Sequence, residues 1–450
     1  MNSCRKVPEV FRNTRGGKRY KPYAAMLSLA AATALTSGSV ALAAGGFSQF
    51  ATTPNETAVG NYLNNLQASG SIPASISSPI NSILSGSPAQ VNTALNQLSP
   101  AVYQYLPDIA LQEQVFFDQN VFQMLHDSYY MPEQSTATGA GMNNSGGMSS
   151  SNGGSPNGMM GGMMSGVMKY AKGVSIYSYY NWVSGDFAYS PSAAHFSASS
   201  VFLGANYHWC KPLIVGASIS YTDPQATLDQ FQSSAKLQDL GFQAYASYYR
   251  KGFFVAGLFD YSILDVDVYR NINFDGSLTS ARGDTGGSVY NVALEGGYDF
   301  KAMKKHLIFG PLGGLYYTHV NVQGTSETSS PFALSVSKQR VESLRTQIGG
   351  HVSYDMPITH WLTVVPSLNA FYSHEYLNSS RGINASFVNT GSNAFTVETN
   401  GPVRDTALMG FSLTAEVGKN INVFTDYEAQ FAGGPHTYAQ SVTAGLEIGF

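Results

Sequence analysis

From about Lys172 to Phe450 apolar and polar residues alternate with a period of two, the spacing of a half-buried strand. In "PLIVGASISY", Leu213, Val215, Ala217, Ile219 and Tyr221 share one face, against Gly216, Ser218 and Ser220. In "SVYNVALEGGYDF", Tyr290, Val292, Leu294 and Tyr298 oppose Asn291, Glu295 and Asp299. "SLRTQIGGHVSY" sets Leu344, Ile348, Val352 and Tyr354 against Arg345, Gln347 and His351. "TALMGFSLTAEVG" sets Ala407, Met409, Phe411, Leu413 and Val417 against Ser412, Thr414 and Glu416. Twelve such segments follow one another, centred near Tyr179, Leu203, Ala217, Ala244, Phe259, Val292, Leu315, Ile348, Leu368, Phe411, Thr425 and Ala444.

The connections alternate in length. "HWCKP", "YRKG", "DFKAMKK", "DMPITH" and "VGKNIN" are tight. Between them lie "TDPQATLDQFQSSAK", "RNINFDGSLTSARGDTGG", "NVQGTSETSSPFALSVSKQ" and the long run Leu377–Arg404. A soluble sandwich has no reason to gather its long loops at one end. A transmembrane barrel has: short periplasmic turns, longer outer loops, an even strand count, apolar residues outward and polar residues inward. The pattern therefore predicts an all-β, twelve-stranded antiparallel transmembrane β-barrel. Tyr248-Tyr249 and Tyr316-Tyr317 are expected in aromatic girdles. The last stretch, "TYAQSVTAGLEIGF", places Val442, Ala444, Leu446, Ile448 and Phe450 on one parity. Ending on a patterned strand with an aromatic residue, where termini are usually polar and frayed, fits a strand that closes the cylinder against the first. Lipid tolerates no open edge.

Upstream the period changes. "TPNETAVGNYLNNL" opens with a capping box, Thr53, Pro54 and Glu56, and continues with Ala58, Val59, Tyr62, Leu63 and Leu66 at helical spacing. "SPAQVNTALNQL" repeats the device with Ser87, Pro88 and Gln90. A third helical segment, about Pro107 to Leu125, carries Val115, Phe116, Phe122 and Leu125. These read as short amphipathic helices without a large core. Gln134 to Met168 contains no charged residue, and its Gly, Ser, Asn and Met composition reads as a flexible linker. Met159, Met160, Met163 and Met164 offer thioethers that would suit Cu(I), and Asn152-Gly153 and Asn157-Gly158 could cleave their own backbone. Linker composition and turn chemistry account for both more simply.

The first residues read as an address. Seven basic residues precede an Ala-rich apolar run from Tyr23 to Val40 and the small-residue site Ala41-Leu42-Ala43, a cleavable export signal rather than a spanning helix. The expected divisions are a signal peptide at 1–43, a helical pre-barrel region or minimal passenger at 44–126, the linker at 127–171 and the barrel at 172–450. Without the leader the chain keeps 17 basic and 27 acidic residues, a net charge of −10. That disfavours nucleic acid as a partner. Cys210 is then alone, so no internal disulfide forms. No nucleophile elbow, zinc-protease helix or phosphate loop is present. His374-Glu375 is followed by Tyr376-Leu377-Asn378, so the pair is not the start of an H-E-x-x-H helix. The expectation is a non-enzyme with no cofactor and no metal.

Several stretches, in their order and spacing, resemble the translocator (β-domain) of the autotransporter family of type V secretion. They are "LNQLSPAVYQYLPDIALQEQVFF", "LGFQAYASYYRKGFFVAGLFDYSILDVDVYR", "LNAFYSHEYLN", "VFTDYEAQF" and "VTAGLEIGF". The resemblance runs from about Thr53 to Phe450. It implies a monomeric barrel in the Gram-negative outer membrane, with a helix threading the lumen and joining an exported passenger to the barrel. It implies contact with outer-membrane lipid and lipopolysaccharide, and dependence on the general secretion and barrel-assembly machineries. Val442, Ala444, Leu446, Ile448 and Phe450 would be the assembly signal. Asp260, Glu295, Arg345, Glu416 and Glu447 would face the lumen and bond to the helix. A departure is that no repeat of solenoid period precedes the barrel. The expected function is to anchor in the outer membrane and to translocate or display a short N-terminal segment. The alternative is a stand-alone porin-like or adhesive barrel with no secreted passenger.

Overall fold

The computed structural model describes residues 46–128, 173–187, 193–210, 212–228, 232–274, 277–388, 390, 394–418, 420–432 and 437–450. The leader and the Met-rich segment, with the divisions expected there, lie outside the described residues. Twelve long strands form the barrel: β1 (Val174–Phe187), β2 (Ala194–Cys210), β3 (Leu213–Thr222), β4 (Ser234–Arg250), β5 (Phe253–Phe274) and β6 (Ser277–Tyr298). They continue with β7 (Leu307–Val322), β8 (Gln339–Tyr354), β9 (Leu362–Glu375), β10 (Asp405–Val417), β11 (Ile421–Ala432) and β12 (Thr437–Gly449). Each pairs antiparallel with its sequence neighbours, and β12 pairs with β1, so the ring is closed. All twelve expected strand centres fall within these strands.

Closure runs the full length of the seam, from Ser175 opposite Gly449 to Phe187 opposite Thr437. Phe450 N donates to Val174 O (2.8 Å) and Gly173 N to Phe450 O (3.1 Å), carrying the ladder past the end of β12. Side-chain parity then separates two environments. On β6, Asn291 and Glu295 are 0% and 4% exposed, whereas Val292 and Leu294 between them are 51% and 53% exposed. Val201, Leu203, Phe259, Ile348, Leu368 and Phe411 are likewise outward and exposed. A continuous apolar band of this kind fits lipid, not water. None of the described helices is long and apolar enough to cross a membrane.

The two ends of the barrel differ. Lys251 and Gly252, both at positive φ (55° and 90°), make the two-residue turn between β4 and β5 that the right-handed strand twist favours. At the opposite end β5 and β6 run on in register to Phe274 and Ser277, so the stretch expected to be a loop is a strand hairpin projecting beyond the wall. The segments after β7 and β9 also gain structure. Thr325–Ser326, Leu334–Val336, Gly382–Phe387 and Phe395–Glu398 assemble a separate four-stranded sheet at this loop end.

The N-terminal segment is helical: α1 (Pro54–Ala68), α2 (Ala74–Ser85), α3 (Pro88–Leu98) and α4 (Tyr105–Asp127). Both capping boxes close as the sequence spacing requires: Thr53 with Glu56, Ser87 with Gln90. α2 has no clear signal in the sequence, because Ser77, Ser78 and Pro79 mask the helical spacing of Ile76, Ile80 and Ile83, all buried. The expectation of no large core fails. Val59, Leu63, Leu66, Ile80, Val91 and Leu95 are buried in one cluster with Phe332, Phe387 and the outer parts of the strands. Amphipathic helices too small to bury their own faces do so against the loop sheet.

The aromatic pairs also divide. Adjacent strand residues point to opposite faces, so Tyr316 and Tyr249 turn inward to the lumenal cluster while Tyr317 and Tyr248 turn outward. Inside, glycine opposite tyrosine lets rings lie on the wall. A Cβ on Gly204 would come within 2.4 Å of its cross-strand partner Tyr177, and one on Gly216 within 2.2 Å of Tyr245.

The lipid assignment is testable at Ile348, whose side chain is 70% exposed near the middle of β8. Ile348→Arg should destabilise the barrel by about 2–4 kcal/mol in urea unfolding from phospholipid vesicles. A change within about 0.5 kcal/mol, the usual range for a water-exposed position, would contradict a lipid-facing position.

Candidate functional site: a helix-filled lumen under an outer cap

α4 occupies the lumen and is buried on nearly every side, polar residues included. Ordinary surface helices bury one stripe; this one is enclosed by a wall that is itself polar. Its contacts therefore mix packing and hydrogen bonds. Val115, Phe117, Val121, Phe122, Met124 and Leu125 pack with Tyr177, Tyr179, Phe202, Phe254 and Tyr316 of the wall. Phe117 stacks on Phe202 at 5.3 Å between ring centres.

The polar contacts are distributed along the helix. Near its start Gln112 donates to Gln430, and Ser200 donates to Glu113 (3.0 Å). Asp118, at mid-helix, accepts from Asn291 Nδ2 (2.7 Å) and Arg345 Nη2 (3.4 Å). Gln119 Nε2 donates to Gln347 Oε1 (2.7 Å), and Thr443 Oγ1 donates to Asn120 Oδ1 (3.1 Å). In the last turn His126 Nε2 meets Asp299 Oδ1 at 3.3 Å. Buried polar groups are costly unless paired, so this matching of helix and wall makes the occupied lumen self-consistent.

The five lumenal residues expected from sequence lie on the inner parity but do not all meet the helix. Arg345 does, through Asp118, and its guanidinium also sits 5.6 Å from the Tyr316 ring centre. Asp260 accepts from Gln243 (2.7 Å) and Glu295 from Tyr316 (2.8 Å), both wall residues. Glu447 accepts from Ser175 (2.6 Å), Asn206 (3.2 Å) and Asn422 (3.4 Å), so it braces the closing seam. The physical reason is reach: a short carboxylate among neighbouring amides and hydroxyls finds partners on the next strand first. Glu416 is half-buried beside a cavity it shares with Gln123 and Asp127 of the helix. Val442, Ala444, Leu446 and Ile448 point outward and are exposed, and Phe450 is half-buried at the turn end.

What sequence reasoning missed is the helix side of these pairs. Gln112, Asp118, Gln119 and Asn120 interrupt an apolar segment on every face, a pattern that suits neither lipid nor a one-sided core. That all-round polarity was the available signal.

At the loop end, buried contacts join the helices to the strand extensions. Arg270, on the β5 extension, forms a buried ion pair with Glu327 (2.5 Å) and donates to Gln97 O (3.0 Å) and Phe332 O (2.7 Å). Gln97 O is one of the last carbonyls of α3, which have no partner within the helix. Glu327 also accepts from Tyr103 Oη (3.1 Å) and Leu334 N (2.7 Å). Burial first, then the Glu327 carboxylate, push the Tyr103 phenol well above its ordinary range, so it stays protonated and donates. Asn55 of α1 exchanges two bonds with the backbone of Glu398 (2.8 and 2.9 Å), capping an edge of the loop sheet. Arg381 ties the same sheet to the first turn of α4 through Asp108 (3.0 Å) and Gln104 O (2.9 Å).

The autotransporter beta-domain family matches residues 175–428. Among solved structures, the chain is similar to the translocator domain of the autotransporter NalP from Neisseria meningitidis. The identity is 14%, the alignment covers 65% of this chain and 96% of that one, and the TM-score is 0.49. It is also similar to the beta domain of the Bordetella autotransporter Brka (17% identity, 62% and 100% covered, TM-score 0.47). A third is the transport unit of the autotransporter AIDA-I from Escherichia coli (12% identity, 64% and 98% covered, TM-score 0.41). No curated protein matches the chain.

Substitutions at Asp118 and Glu327 separate lumen from cap. Asp118→Ala strands a largely buried Arg345 and should cost about 3–5 kcal/mol. Asp118→Ala with Arg345→Met should recover most of that loss in thermal unfolding. Glu327→Ala orphans Arg270 and should cost a comparable amount, about 3–5 kcal/mol. Limited proteolysis should then cut within 323–338 and 376–404 while the barrel keeps its folded gel mobility; unchanged protease resistance would show that the ion pair does not hold the cap.

Proposed function

The chain belongs to the autotransporter β-domain family, and from that premise we propose that its outer-membrane barrel carries its own N-terminal segment to the cell surface and keeps it there as a folded cap. The observation that supports this reading is the direction of α4. Its first turn is bonded to the loop sheet, through Asp108 and Arg381, and its last turn lies beside Asp299 at the turn end. β1 then begins at the turn end, where Gly173 meets Phe450. With short turns periplasmic and long loops outside, the described residues before α4 sit outside and the strand after it starts inside. The chain therefore crosses the membrane through the lumen.

In this reading residues 1–43 are a cleaved export signal, 44–126 combine the displayed cap with the lumenal helix, 127–171 connect the helix to the barrel, and 172–450 form the barrel. General secretion machinery delivers the chain to the periplasm. Barrel-assembly machinery inserts the monomeric barrel, reading the outward residues Val442, Ala444, Leu446 and Ile448 together with the terminal Phe450, and outer-membrane lipid and lipopolysaccharide surround the wall. The role is transport and display without catalysis.

An epitope tag inserted after Ala44 in intact cells tests the reading. Antibody should reach the tag, and added protease should remove it while the barrel survives. A tag hidden until the outer membrane is broken would overturn display and favour a porin-like barrel with a periplasmic or lumenal plug.

A further inference from the structure

At the turn end of the lumen, three potential ligand side chains from three elements converge. His126 comes from the last turn of α4, Asp299 follows β6 and His351 lies on β8; their donor atoms all lie within 4.8 Å of one another. His126 Nε2 and His351 Nε2 approach the same oxygen, Asp299 Oδ1, at 3.3 and 3.0 Å. The imidazole centres are 4.5 Å apart. All three side chains are at least nine-tenths buried.

We propose that His126, Asp299 and His351 bind one zinc(II) ion that clamps the end of the lumenal helix to the barrel wall. Two imidazole nitrogens and a carboxylate oxygen are a donor set zinc uses, with bonds of about 2.0–2.1 Å. Ligand atoms at that distance on a tetrahedral ion lie about 3.3 Å from one another, close to both nitrogen–oxygen separations here. The approach of His351 Nε2 lacks the alignment of a hydrogen bond, and that buried nitrogen has no other hydrogen-bond partner among the described residues. A metal would use the nitrogen where the existing contact does not.

The surroundings favour a cation. A cavity of about 20 Å³ opens beside both imidazoles and is lined by Glu295, Asp127 and Gln123 as well. It is large enough for one water, which would supply the fourth ligand. Glu295 and Asp127 add negative potential without joining the donor set. Phe254 stands edge-on to His126 at 5.0 Å and holds its ring toward Asp299. Because the three ligands come from the helix, the turn after β6 and β8, binding would stabilise the docked helix specifically.

The test uses the full chain purified from outer membranes in detergent and stripped with chelator, with zinc(II) alone as probe. Wild type should bind one zinc per chain in equilibrium dialysis. His126→Gln and His351→Gln should each weaken that site by more than about 100-fold, since even a supporting residue of a metal site is worth 10–100-fold. With free zinc at ten times its dissociation constant, hydrogen exchange of the α4 end should slow about tenfold in wild type only. Folded gel mobility monitors the barrel throughout. Should a variant not fold, cobalt(II) on wild type decides: a tetrahedral d–d spectrum without thiolate charge transfer supports the site, and an octahedral or thiolate spectrum overturns it. Equal zinc binding by wild type and a folded His126→Gln/His351→Gln chain also overturns it.

Discussion

Lipid offers backbone amides nothing to bond to, and the rest of the structure follows from that constraint. A sheet in this solvent must leave no edge, so β12 returns to β1 over its whole length. Closure then creates a lumen as an unavoidable by-product. Twelve strands enclose more space than inward side chains fill, and less than an open channel of sixteen would. The chain resolves the excess by placing a helix inside. Tyr177 and Tyr245 lie against the backbone of Gly204 and Gly216, space that a Cβ would take.

The polar inner face also determines what kind of helix can be held. A wholly apolar helix would leave Asn291, Arg345 and Gln347 facing hydrocarbon, each at a cost. A wholly polar one would forfeit packing against Phe202, Phe254 and Tyr316. α4 carries both kinds of side chain on all faces, which makes it a poor free-standing amphipathic helix and a good lumenal one. The same reasoning explains why carboxylates such as Glu447 are satisfied within the wall: closure needs bracing across the seam whether or not a helix is present.

Much of this was legible in the sequence, and the limits were physical. Period-two alternation identified every barrel strand because each has two different solvents on its two faces. Alternating connection lengths gave the ends. Thr53 with Glu56 and Ser87 with Gln90 announced helix starts because capping is local. Long-range facts were not legible. "RNINFDGSLTSARGDTGG" reads as a loop from its Gly, Asn and Asp content, yet it continues β5 and β6 because each strand supplies the other with a ladder. Arg270 and Glu327 are 57 positions apart, and nothing local in either stretch says they meet. The same holds for the lumenal partners of Asp118 and for the convergence of His126, Asp299 and His351.

For the display proposed above, the cap and the lumen together set an order of events. α1, α2 and α3 form a bundle wider than the single helix the lumen holds, so the cap cannot pass through the finished barrel in its folded form. In the proposed display it reaches the loop end before its core forms. Once there, Phe47, Val59, Leu63, Ile80, Val91 and Leu95 become buried, and each such side chain is worth about 1.5–3 kcal/mol relative to exposure. In the proposed display, that burial opposes return. Retreat of α4 toward the turn end would require the cap to unfold, and advance toward the loop end would strip the helix of its wall contacts. The helix is therefore retained by folding on one side and by matched polar contacts on the other, and neither device needs an external energy source.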